Sequence, residues 1–533
     1  MEDVSRHAKR ARVTRPSTSS ADHAGGAGDL ISGLGDDLLV RILESVAEAG
    51  ARDVVRTDAL SRRWRSLWTR VPALRFDLSP ASTEKSAGGV ERFIAFVDDV
   101  LALRARSDVG IKHLEISMHG KAQPVPPPIN KAVEGWIRYA LQRAVTSFVI
   151  TLNDDDDDDY DDDDYHDEDD YEEKEDDESV MAVDLLPSST RLETMCLGLR
   201  NARVRLQATV VFESLTNLTL KNIVVTRDSS HLLARFISLE CCPRLQKLSM
   251  SDIVLKKDAE LLVEARALLE LSLKCIHYVR SMELRTPNLR VLHMEGCYDL
   301  TALTVSAPRL GKITSWYNPD LIHISGDLSH VCALNIELWS HGDFDDDTND
   351  ASINLLQRSS SARNITVDLQ AWRTREPGCV DIVKDRIPPV HHVTSLAVDV
   401  SYGERHSFGD GVKSLLTRFN NLRHLRLQLM LYCSKKKDGI FVCDHPPNDW
   451  KSSDFSLAHL QEAEFKGLTG TGCELRFLQV MLASAKDLHK VIVGFNVEYC
   501  RKARRVNFKN MLLEAGSWTP SRDADESYEW RPS

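Results

Sequence analysis

Apolar residues recur along this chain in one fixed step: an apolar position, two others, a second apolar position, one other, and a third. The step appears at Leu215, Leu218 and Leu220, at Leu245, Leu248 and Met250, and at Leu268, Leu271 and Leu273. It continues at Leu289, Leu292 and Met294, loosens at Leu310 and Ile313, and returns at Val331, Leu334 and Ile336. Starts at 268, 289, 310 and 331 are 21 residues apart, and 245 precedes 268 by 23. The step also begins earlier, at Ile111, Val145 and Leu192, and resumes later at Val393 and Leu422. Each unit predicts a short parallel strand whose alternate side chains point inward. One unit cannot bury that inward row alone, so neighbours must stack into a curved solenoid. Pro243, Pro287 and Pro308 suit the turns that enter the strands. Between Phe93 and Leu103, and between Trp136 and Val145, the spacing is helical, which predicts helices or loops on the convex side. The fold class is therefore α/β: a curved parallel sheet preceded by a small helical module.

That module lies near the start. Leu38, Leu39, Ile42, Leu43 and Val46 recur at helical spacing, with Asp36 placed to cap the first turn. Val54 and Val55 follow a Gly50 break, and Leu60, Trp64, Leu67 and Trp68 fall at i, i+4, i+7 and i+8. Three short helices in about forty residues carry more apolar side chains than so small a unit buries by itself. A partner-dependent module with an exposed apolar face is expected; a plain helical cap on the following domain is the alternative. Near the other end, residues 459–493 read as strand, turn, amphipathic helix and strand, with Leu475, Leu478, Met481, Leu482 and Ala485 on the buried helix face.

Charge changes the picture in one place. The formal net charge is −13, yet residues 154–178 hold 20 acidic side chains and one lysine, so the rest of the chain is mildly basic. Such a run repels itself and predicts a solvated, disordered insertion over 153–179, preferred here to calcium binding. Eleven cysteines occur without a C-x-x-C or a zinc-like spacing, and reduced structural thiols are expected, including Cys196, Cys275 and Cys332 in strand-like runs. No apolar run approaches the ~18 residues of a spanning helix, and the N-terminus has no apolar signal region. A soluble cytoplasmic or nuclear protein is expected, with Lys9, Arg10 and Arg12 as a possible import signal.

Residues 343–350 lack the glycine and glutamate of an EF-hand loop. Residues 409–414 lack the glycine spacing of a phosphate loop, and Gly467, Gly470 and Gly472 do not form a dinucleotide fingerprint. No H-E-x-x-H or G-x-S-x-G motif accompanies the histidines and serines, so no enzyme, metal or cofactor is expected.

The module resembles the F-box. "DLISGLGDDLLVRILESV" is similar to that family's opening helix, and "DVVRTDALSRRWRSLWTRVPALRFD" to its closing half in plant proteins. Gly35 stands where the family usually has proline, and Asp58 where serine is commoner. The repeats, with Cys297 eight residues after Leu289, resemble leucine-rich repeats, and 459–493 resembles the FBD region of plant F-box/leucine-rich-repeat proteins. The implied organisation is a tail over 1–28, an F-box over 29–75, repeats over 76–458, an FBD-like cap over 459–500 and a tail over 501–533.

The resemblance implies a substrate receptor of an SCF-type cullin ubiquitin ligase, docked on a Skp-type adaptor and through it on a cullin scaffold, without membrane or nucleic acid. Adaptor contact is expected from Leu34, Leu38, Leu39, Ile42, Leu43, Val54, Val55, Leu60 and Trp64. Target contact is expected from strand positions facing away from the core: Lys247 and Ser249; Glu270, Ser272 and Lys274; His293 and Glu295; Lys312, Thr314 and Trp316. Trp316 is either a binding anchor or packed against a neighbouring loop. A different class of function, a non-proteolytic scaffold that docks basic partners on the acidic block, is the alternative.

Overall fold

The computed structural model describes residues 31–78, 88–153, 182–431 and 456–496, apart from short internal stretches, together with 518–524, 527–532 and two isolated positions. The acidic block 154–178 and the tail over 1–28 lie outside the described residues.

The solenoid is one sheet of 20 strands among the described residues. Its core is a column to which each coil adds one residue. Leu74, Leu114, Phe148, Met195, Leu218, Leu248 and Leu271 follow one another in register. Leu292, Ile313, Leu334, Ile365, Leu396, Leu425, Ala463 and Val491 continue the column. Every one of them is buried. The repeat step thus marks the inward row, as its spacing requires. Four members of that column, Leu74, Ile365, Ala463 and Val491, fall outside the units named from the sequence.

The return side of each coil follows from coil length. Where strand-to-strand offsets are 21 residues, as between Val291, Lys312 and Ala333, the return is itself extended. Leu261, Met282, Leu303 and Ile324 stack there as a second buried row. The helical spacing near residues 93–103 and 136–145 is realised as helices Gly89–Ala105 and Pro127–Gln142, while the middle of the solenoid carries a second parallel ladder on its return side. Too few residues remain after the first strand and its turns to wind a helix and still close the coil. Where the offset grows to 31, as between Ala333, Asn364 and Ser395, helices appear, namely Asp350–Arg358 and Ile382–Arg386. The sharp corner between the two ladders passes through left-handed residues at Asn222, Asp252, Cys275 and Gly296.

Buried amides satisfy other corners. Asn318, eight residues after Leu310, accepts from the Cys297 amide at 2.8 Å and donates to the Ser315 hydroxyl at 3.2 Å. Asn349 bonds both backbone groups of Trp339, at 2.8 and 2.9 Å.

Both ends of the sheet are covered. At the start, the module's helices Asp36–Ala47 and Ala51–Arg56 pack on strand Ala73–Leu78, and Leu39, Leu43, Val54, Leu67 and Trp68 join the same core as the solenoid. The 75/76 boundary falls inside that strand. At the far end, helix Gly472–Ser484 starts with a capping box between Thr471 and Glu474. Leu478, Met481 and Ala485 are buried as expected, while Leu475 and Leu482 are half-buried. The 501–533 region, expected as a tail, contributes the hairpin Trp518–Ala524 and Ser527–Pro532, whose second strand pairs with Lys490–Phe495.

Candidate functional site

Two surfaces carry the predicted residues. On the module, the structure divides the nine adaptor candidates into three sets. Leu39, Leu43 and Val54 are completely buried and hold the module on the solenoid, so they are withdrawn as contact residues. Leu38, Ile42 and Leu60 are 49%, 43% and 66% exposed, and Leu34, Val55 and Trp64 are half-buried beside the core. Ile31, 53% exposed, joins the exposed set and was missed, because it precedes the helical pattern. Leu38 and Ile42 are one turn apart on the same helix, which places them on one face.

The segment expected as a third helix is instead a series of 3₁₀ turns, Thr57–Ala59, Trp64–Ser66 and Trp68–Arg70. Leu67 and Trp68 turn inward. Arg63 bonds Asp36 at 2.8 Å and the Leu34 carbonyl, and Arg70 pairs with Asp37 at 3.0 Å. These exposed pairs contribute little stability but fix which segments adjoin. They also correct the role given to Asp36. Gly35 is the N-cap and makes no side-chain cap bond, while Asp36 serves Arg63. Gly35 has φ −65°, the angle proline would fix, so its departure from the F-box pattern leaves the helix entry unchanged.

On the concave face, the ten target candidates largely come together. Lys247 pairs with Glu270 at 2.8 Å, and Lys274 with Glu295 at 3.2 Å. His293 lies 3.3 Å from Glu295, and the Trp316 ring meets His293 edge-on at 5.7 Å. The hydrogen bond from His293, joined by Lys274 and opposed by burial, holds the Glu295 carboxyl below its usual range. Ser249 and Ser272 are half-buried, and Lys312 is exposed. Thr314 is the correction: it is only 6% exposed, a short side chain set in register between His293 and Asn335. Trp316 is half-buried and packs on His293; its indole N–H is buried without a hydrogen-bond partner.

Farther along the same outward row, Glu337, Asp368 and Asp399 are neighbours in register. Burial, with help from Asp399, pushes the Asp368 carboxyl up to about 6. Sequence reading missed this stretch because the 31-residue offsets break the 21-residue period; the alternation of Ile365, Val367 and Leu369 was the available signal.

Cysteines divide by position. Cys242 and Cys297 are buried, and burial pushes both thiols up to about 12. Cys196 and Cys275 are half-buried, but Cys332, expected inside, is exposed. Cys473 is disulfide-bonded, so the expectation of reduced thiols fails there. Among the described residues, no group of three or more His, Cys, Asp or Glu could hold a metal ion, and no helix is long and apolar enough to cross a membrane.

The architecture is that of a leucine-rich-repeat solenoid headed by a small helical module. Comparison with known proteins agrees. A putative FBD-associated F-box protein of Arabidopsis thaliana is 32% identical over 125 residues, covering 24% of this chain and 27% of the relative. A putative F-box/LRR-repeat protein of the same plant is 35% identical over 126 residues, or 23% and 22% of the two chains. An F-box/FBD/LRR-repeat protein, also from Arabidopsis thaliana, is 34% identical over 130 residues, or 24% and 27%. The matches thus span about a quarter of the length of these relatives. No family model matches the chain. The chain is similar to plant F-box proteins with leucine-rich repeats and an FBD region.

Proposed function

We propose that this protein is the substrate-recognition subunit of an SCF-type cullin ubiquitin ligase. The module docks a Skp-type adaptor, and the concave face of the solenoid holds a target protein. The chain supplies proximity, and ubiquitin-transfer chemistry belongs to the partner subunits. One observation carries the reading: Ile31, Leu38, Ile42 and Leu60 stand exposed on a module whose other large apolar residues are buried or half-buried. Large apolar side chains clustered at a surface mark a protein-docking face.

The test uses the full chain with Leu38→Asp. Leu38 is half-exposed, so the module stays folded, while a charge enters the docking face. Loss of adaptor co-purification is expected. Co-purification at the wild-type level overturns the assignment.

A further inference from the structure

The chain crosses from module to solenoid at Val71 and Pro72, between the turn Trp68–Arg70 and the strand Ala73–Leu78. Both carbonyls of that crossing are held. Pro72 accepts from the amides of Lys112 and His113 at 2.7 and 3.0 Å, as an ordinary part of the next coil. Val71 accepts from Arg104 Nη2 at 3.0 Å. Arg104 is the unusual partner. It sits in the last turn of helix Gly89–Ala105, is only 2% exposed, and its Nε and Nη1 have no hydrogen-bond partner. Among the described residues, burial works against its charge and the Tyr139 phenol supports it.

A buried cation without a carboxylate is a poor way to stabilise a fold; an apolar side chain of similar length would do better. What the guanidinium does provide is a directional bond to the backbone at the joint. Around it, the Arg52 guanidinium lies 5.8 Å from the Phe96 ring, and Phe96 meets Phe76 edge-on at 5.8 Å. The first of these contacts joins the module to helix Gly89–Ala105 and the second joins that helix to the first strand, and neither is directional in the way a hydrogen bond is.

We propose that Arg104 is a positioning residue that fixes the angle between the docking module and the solenoid by clamping the Val71 carbonyl. The proposal rests on the reading of the module as the adaptor-docking element. It adds that the distance from adaptor to target is set at this joint.

The experiment places a spin label at Glu48 on the module and another at Arg266 on the solenoid, both exposed, in the full chain. Wild type, Arg104→Met and Arg104→Lys are compared by pulsed distance measurement, with hydrogen exchange over helix Asp36–Ala47 and adaptor capture alongside. A narrow distribution is expected in wild type, with its width roughly doubled in Arg104→Met through loss of the joint's fixed angle. Hydrogen-exchange protection of helix Asp36–Ala47 should not fall in that variant, a pattern that a purely stabilising role would not give. Arg104→Lys keeps a donor and should restore the narrow distribution. An Arg104→Met distribution as narrow as wild type overturns the proposal, as does a broad one in Arg104→Lys. Should Arg104→Met fail to fold, a broad distribution in wild type or in Arg104→Lys is equally fatal. Adaptor capture is read separately: its absence in wild type removes the ligase reading and leaves the distances to judge the joint.

Discussion

Ile42 and Leu43 are adjacent on one helix and of equal size, yet they should fail in opposite ways. Leu43 is completely buried in the core that the module shares with the solenoid, whereas Ile42 is 43% exposed. Truncating a buried leucine to alanine removes its transfer energy and leaves a cavity, a loss of about 3 kcal/mol. Truncating Ile42 removes side chain that water already touches and should cost below about 1 kcal/mol. A chain of 533 residues need not melt in one step, so the global transition is a poor reporter. Hydrogen exchange over helix Asp36–Ala47 reports the local loss directly. Protection there should fall by about a hundredfold in Leu43→Ala, the ratio that ~3 kcal/mol gives, and by less than about tenfold in Ile42→Ala. Adaptor capture should reverse the order of interest. Ile42→Ala, with its module intact, should weaken capture by about tenfold or more, as loss of a docking anchor does. Equal loss of protection in the two variants would refute the assignment of faces. Wild-type capture by Ile42→Ala, with protection preserved, would refute the docking role of that face.

Two further outcomes follow from the solenoid. Gly467 has φ +78°, and a Cβ there would lie 2.1 Å from the Leu429 carbonyl oxygen, so Gly467→Ala must move backbone. A loss of about 2 kcal/mol or more is expected, read as earlier urea release of strand Glu462–Leu468 in hydrogen exchange; unchanged exchange would contradict the close approach. Asp368 is raised to about 6 by burial and by Asp399, so its charge opposes folding above that pH. Its contribution is fully present below the unfolded value near 3.8 and is lost as pH rises through 6. Asp368→Asn should therefore be the more stable protein at pH 8 and lose about half of that advantage on acidification to pH 5; a constant difference across that range would count against the shift.

The repeat ladder was legible because each inward residue is obligatory: a polar side chain at Leu248 or Leu271 would sit in the middle of the column. Legibility ended where coil length changed. A helix on the return, as between Ala333 and Asn364, adds residues and removes the period, although the strand itself alternates as before. The second ladder was hidden for the converse reason, since Leu261 and Met282 alternate in short runs that also fit loops.

The module poses a sharper case. Leu38, Leu39, Ile42 and Leu43 occupy two adjoining stripes of one helix, and periodicity marks both as apolar without ranking them. A helix with so wide an apolar arc needs cover on two sides. The solenoid supplies one, over Leu39 and Leu43, and thereby removes the reason to expect the module to be unfolded alone. What needs explanation is narrower than the whole greasy segment: the step of about 100° round the helix from Leu39 to Leu38 and from Leu43 to Ile42. Nothing in the solenoid's own stability requires leucine and isoleucine on that outer stripe, where any good helix former would serve as well. Apolar residues there would be accounted for by a second protein surface, which under the proposed function is the adaptor's.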